Sequence, residues 1–115
     1  MKLVDYQSYT HGYTGNMHVD VRLTFEGQNE IKLCNCSAYL GGAGQFGDVV
    51  SMANRVRNDL RAMQDSGEDF EVKQDRLDGS VDVYRKRDNA LMFSMEAEHI
   101  EGADWLPQYD SKVIE

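Results

Sequence analysis

A chain of 115 residues with 41% hydrophobic and 28% charged content is long enough for one domain that buries about two-thirds of its unfolded surface. It is too apolar for disorder, and no apolar run approaches the ~18 residues of a membrane span. The formal charge of −8 falls entirely on residues 65–115, which hold fourteen acids against six bases, while residues 1–64 balance six against six.

The start, Met1 to Tyr6, turns polar too soon for a signal peptide, so a single cytoplasmic α+β domain over residues 1–115 is expected. Leu3 to Thr10, rich in Tyr and Val, reads as a first strand closed by the turn-prone stretch His11 to Asn16. Met17 to Phe25 alternates strictly, with apolar odd positions and polar even ones, which marks a strand with one buried face. Glu26 to Asn29 then turns the chain into an antiparallel partner, Glu30 to Cys36.

Glycine-rich residues 41–48 lead into a helix signal. Phe46, Val49, Val50, Ala53, Val56, Leu60 and Met63 recur at three- and four-residue spacing, Asp48 suits the N-cap, and Ser66-Gly67 ends the run. Arg55, Arg57 and Arg61 read as a solvated face matched to the C-terminal pole of the helix dipole.

The acidic half reads as a three-stranded meander. Asp69 to Leu77 and Ser80 to Lys86 are joined by Asp78-Gly79 as a two-residue type I′ turn. Arg87-Asp88-Asn89 forms the next loop, with Asn89 left-handed. Phe70, Val72, Gln74, Val81, Val83, Leu91, Phe93, Met95 and Ala97 then share one face, with His99 on the same side. Glu71, Lys73, Asp75, Asp82, Tyr84, Lys86, Ser94, Glu96 and Glu98 share the other, Glu71 facing Lys86. Regular structure is expected to stop at Pro107. The whole predicts an antiparallel sheet of five to six strands with one helix on its apolar face.

No residue pattern fixes a reaction. Gly42, Gly44 and Gly47 match the spacing of a dinucleotide loop, but no βαβ unit surrounds them and Asp48 puts negative charge where a phosphate would sit. The runner-up function is nonetheless a ligand- or nucleotide-binding module built on Gly41–Gly47. Cys34 and Cys36 lack a second pair with metal-ligand spacing and read as reduced packing residues. His11, His18 and His99 each read as structural histidines, His18 beside Asp20 on its strand's polar face. Neither catalytic residues, cofactor nor metal are expected, and three helix arginines are too small a basic patch for direct nucleic-acid binding.

The acidic half points to a basic partner. Carboxylates on one strand face recur at ~6.8 Å and across strands at ~4.8 Å, a spacing that allows imitation of nucleic-acid phosphates. The residues expected to meet the partner are Glu68, Asp69, Glu71, Asp75 and Asp82 in the first two meander strands, then Glu96, Glu98 and Glu101. Asp104 follows, with Trp105 and Tyr109 as apolar anchors.

In size, acidity and sheet-plus-helix build, the chain is similar in kind to phage-encoded anti-defence proteins, anti-CRISPRs among them. That group is joined by role and shares no motif. The similarity implies a non-enzymatic inhibitor in the cytoplasm of a host cell, occupying a basic site on a larger protein, as monomer or homodimer. A structural subunit that dimerises through an edge strand is a further alternative.

Overall fold

The computed structural model describes residues 1–12, 17–40 and 49–111. The elements in order are β1 (Leu3–His11), β2 (His18–Phe25), β3 (Ile31–Tyr39), α1 (Val49–Ser66), β4 (Phe70–Asp75), β5 (Ser80–Arg85), β6 (Ala90–Glu101) and β7 (Gln108–Tyr109). The fold is α+β as expected, but among the described residues its sheet has seven strands, ordered β1-β2-β3-β6-β5-β4-β7. It is also mixed, because β7 runs parallel to β4. The extra strand begins where regular structure was expected to stop. Proline lacks an N–H but keeps its carbonyl. Gln74 N–H donates to that carbonyl on Pro107 at 2.9 Å, and Arg76 N–H donates to Tyr109 at 2.9 Å.

In β2 the alternation works as the sequence implies: Val19, Val21, Leu23 and Phe25 are at most 1% exposed. Met17 lies outside the strand and is exposed. The helix buries Ala53, Val56, Leu60 and Met63, but also Met52, while Val50 is half-exposed. At 3.6 residues per turn Val50 lies about 120° round the helix from Val56, off the inner stripe. Phe46, Asp48 and the Gly41–Gly47 loop lie outside the described residues.

The helix arginines are not a dipole match, since the last turn of α1 carries no basic residue. Arg57 and Arg61 hold β1 instead. Arg57 donates to the Ser8 carbonyl, Arg61 Nε to the Tyr6 hydroxyl at 3.4 Å, and Gln64 Nε2 to the Val4 carbonyl at 2.7 Å. Ser8, itself buried, donates its hydroxyl to the Ala53 carbonyl at 2.9 Å. The Val4 and Ser8 carbonyls of this edge strand are therefore occupied from the helix, which blunts the edge toward another chain.

The two sides of the sheet meet at one end. Phe70 N–H donates to the Met1 carbonyl at 2.8 Å, and the Met1 amino group donates to the Phe70 carbonyl at 2.9 Å. Since β1 and β4 lie far apart in the strand order, this exchange requires the sheet to curl. Its inner face and α1 enclose one core, in which Phe25, Phe70, Phe93, Leu23 and Leu60 are among the largest fully buried side chains.

Both meander loops are longer than the sequence reading. Asp75 pairs with Ser80 and Arg85 with Ala90, so each loop has four residues. They are built alike. Gly79 N–H donates to the Asp75 carbonyl and Asn89 N–H to that of Arg85, at 3.1 and 2.7 Å. Gly79 (φ 69°) and Asn89 (φ 57°) are left-handed, whereas Asp78 is not, so the turn is not type I′. The Asp78 and Asp88 carboxylates accept the Ser80 and Ala90 N–H groups at 3.0 and 3.3 Å, the local bond that favours Asp in turns. The longer loop moves the β4–β5 register by two residues, which keeps each side chain on its expected face. Glu71 accordingly stands opposite Tyr84 and not Lys86.

Bulges correct two other assignments. An irregularity between Val83 and Tyr84 puts Leu91 opposite Tyr84, where it is exposed, while Met92 packs on the core. At the other end of β6, Glu98 and His99 are both exposed and Ile100 returns to the core. His99 therefore leaves the apolar face. The matching feature in β3 is Asn35, left-handed at φ 54°, which lets Leu33 and Cys36 both point inward.

Candidate functional site

Only one face of the sheet is covered by α1. The opposite, helix-free face collects the polar positions of every long strand, and two groups of chemistry-bearing residues stand on it. One is carboxylate-rich and centred on β6, the middle strand of the sheet. The other lies on β1, β2 and β3.

The expected acidic residues divide by environment. Asp75 and Asp82 are 2% and 5% exposed and are used internally. Asp75 Oδ1 accepts the N–H groups of Leu77 and Ser111 at 3.0 and 3.4 Å. Burial raises its carboxyl, but the donors outweigh that and hold it below the ordinary value. Asp82 takes the hydroxyls of Ser80 and Ser94, at 3.3 and 2.6 Å, and that of Tyr109. Tyr109 is thus a brace between β7 and β5, and Trp105 is half-buried on the core with its Nε1 lacking a partner among the described residues.

Others are paired at the surface. Glu68 meets Arg87 at 2.9 Å, Asp69 lies 3.9 Å from the N-terminal amino group, and Glu71 lies 3.8 Å from Lys73. Asp104 is exposed. The set that remains is Glu96, Glu98 and Glu101 along β6. Glu101 meets His99 Nε2 at 3.1 Å, and Glu98 accepts the neutral Asn35 side-chain amide. No cation lies within ion-pair distance of Glu96 or Glu98 among the described residues.

Beside this ridge, Tyr9, His11, Asp20, Arg22, Lys32, Cys34 and Glu101 line a depression of about 240 Å³. Its thiol is not poised as a nucleophile. Burial, then the charges of Asp20 and Glu101, push Cys34 above the ordinary thiol value, and burial pushes Cys36 up to about 12. A separate cleft of about 330 Å³ lies between the end of α1 and the β5–β6 loop, where Asp59, Met63, Glu68, Phe70 and Arg87 meet. Burial raises the Asp59 carboxyl there.

Sequence reasoning weighed the histidines singly and so missed that His11, His18 and Asp20 come together. The signal was present. His11 and His18 flank one hairpin and pair in the ladder, and Asp20 follows His18 by two residues, hence on the same face.

No family model, curated protein or solved structure matches the chain. Among the described residues, no helix is long and apolar enough to cross a membrane.

Proposed function

We propose that this chain is a non-enzymatic binding protein that sets the helix-free face of its sheet against a basic surface of a larger protein, in the manner of an inhibitor occupying a nucleic-acid-binding groove. One observation carries the reading. Glu96 and Glu98 are presented on the central strand of a rigid sheet, without a neutralising cation among the described residues. Isolated exposed carboxylates keep a protein soluble wherever they sit. A row of carboxylates in the middle of an open sheet face, Glu96 half-buried and Glu98 exposed, backed by a chain charge of −8, also steers a cationic partner to that face. Two independent features support a partner of different sequence over self-assembly through β1: the net charge repels a second copy, and helix side chains occupy carbonyls of that edge.

The test is affinity for a partner captured on the immobilised chain at low salt. Glu96→Gln with Glu98→Gln should weaken binding at least tenfold and flatten its salt dependence. Glu26→Gln with Glu30→Gln, both exposed and equal in charge change, should not. Equal losses in the two variants, or affinity indifferent to salt, would overturn the proposal.

A further inference from the structure

The outermost hairpin carries a second site of different chemistry. His11 pairs with His18 across the β1–β2 ladder, and Tyr9 pairs with Asp20 one step inward. Side chains two residues apart on a strand share a face, so His18 and Asp20 must lie side by side with His11 facing them. The ligand atoms converge. His11 Nδ1 lies 3.1 Å from His18 Nε2 and 3.7 Å from Asp20 Oδ2, and His18 Nε2 lies 3.6 Å from Asp20 Oδ1. One atom from each residue can be chosen so that all three lie within 4.8 Å of one another.

Two of these separations match the edges of a coordination polyhedron. An ion bound tetrahedrally at about 2.0–2.2 Å sets neighbouring ligand atoms about 3.3–3.6 Å apart. The 3.1 Å between the two nitrogens and the 3.7 Å from His11 Nδ1 to Asp20 Oδ2 fall on either side of that value, and the 3.6 Å approach of His18 is to the other carboxylate oxygen, Oδ1. To ligate, each imidazole must carry its proton on its other ring nitrogen, so the ion would replace the hydrogen bond between His11 Nδ1 and His18 Nε2.

A second feature, outside the triad, fixes the carboxylate. Asp20 is 13% exposed at its side chain, and its Oδ1 accepts the backbone N–H of Asn35 at 2.9 Å. That N–H is aimed by the left-handed bulge at Asn35 (φ 54°), a conformation a non-glycine residue adopts at a cost and which recurs next to functional sites. The bond leaves Oδ2 available to an ion. Outer hydrogen bonds of this kind orient the carboxylates of metal sites.

We propose that His11, His18 and Asp20 bind a divalent transition-metal ion of the zinc type, with a fourth coordination position open to solvent. Two nitrogens and one carboxylate oxygen suit zinc and its neighbours in the first transition row. Magnesium and calcium call for six or more oxygens. The open position follows from His11, whose side chain is 60% exposed, so a water or a donor group from another molecule reaches the ion. The ion would also tie the far ends of β1 and β2 together, next to the depression that runs toward Glu101.

The experiment uses the full chain without a histidine tag, titrated with Zn²⁺ by calorimetry and with Co²⁺ as an absorbing substitute. The wild type should bind a single equivalent of Zn²⁺ and develop the intense d–d absorption of four-coordinate Co²⁺. His18→Ala or Asp20→Asn should weaken Zn²⁺ binding tenfold or more, and His99→Ala, on the same face but outside the triad, should leave it unchanged. His11→Ala alters an exposed strand end and leaves the core intact, so a normal melting transition with lost Co²⁺ absorption separates ligand loss from misfolding. Absence of saturable Zn²⁺ binding in the wild type would overturn the proposal. So would equal affinity in the wild type and a His11→Ala, His18→Ala double variant.

Discussion

Replacing Gly102 with alanine should damage this fold more than the same change at Gly27 or Gly67, and the difference can be worked from the structure. All three glycines are left-handed, at φ 76°, 75° and 66°. A Cβ at Gly27 or Gly67 meets nothing within 4 Å, so the cost there is the left-handed backbone alone, about 1–2 kcal/mol. At Gly102 the Cβ would overlap the Glu30 carbonyl oxygen, well inside the 3.0 Å that real Cβ atoms respect. Both partners in that overlap are backbone, so the relief must come from moving strands. Glu30 enters β3 and Gly102 leaves β6, next to the Lys32–Glu101 pair that closes the central ladder. Overpacking of this kind adds about 1–3 kcal/mol, for a total of roughly 2–5 kcal/mol. At about 4 °C per kcal/mol for a domain of this size, Gly102→Ala should melt some 8–20 °C low and the comparators some 4–8 °C low. Urea denaturation followed by Trp105 fluorescence, with the slope m compared across variants, measures the same differences. Equal midpoints for the three variants would refute the close approach of β6 to Glu30.

Asp88 is held down to about 2 by the Arg85 guanidinium, which donates to both its oxygens at 2.9 and 2.6 Å. A depressed carboxylate contributes stability that is complete above its unfolded value near ~3.9 and is lost as pH falls toward the folded one. Acid titration should therefore show a loss between about pH 4 and pH 2 that Asp88→Asn lacks, and identical acid limbs would contradict the pairing. Tyr109→Phe should cost about 1.5–3 kcal/mol by removing a hydroxyl donor from the buried Asp82 carboxylate. Burial and the Asp82 carboxylate also raise the Tyr109 phenol. Its stabilisation is thus present below about pH 10 and falls as pH rises past it. The phenylalanine variant should lose that alkaline slope in a melting series from pH 8 to 11; an unchanged slope would remove Tyr109 from the account.

What the sequence disclosed depended on how local the cause was. β2 was legible because one residue in two must be apolar when one face meets the core, and Val19 to Phe25 obey that without exception. The β4–β5 faces were legible even though the loop was misjudged, since a four-residue loop in place of a two-residue one moves the register by an even number; at the β5–β6 loop four residues replace three, and the bulge between Val83 and Tyr84 restores the Val83–Phe93 pairing. Leu91 and His99 were not legible. Each lies beside a bulge, and a bulge shifts alternation by one without a composition that marks it. The burial of Asp75 and Asp82 was hidden for another reason. Alternation assigns a side chain to a face but says nothing of what covers it, and the cover here is β7, brought back by the tail beyond Pro107. The His11, His18 and Asp20 cluster needed a cross-strand pairing that was within reach of the hairpin reading and was not applied.

The central claim, that the helix-free face around β6 meets a basic partner, is tested most directly by amide chemical-shift mapping of the labelled chain with and without the captured partner. The account predicts that the largest changes cluster on Ser94 to Glu101 and on the neighbouring residues Lys32 to Ala38. Those changes should fade as salt is raised. Changes centred on the exposed side of α1, or a footprint on β6 that is insensitive to salt, would contradict it.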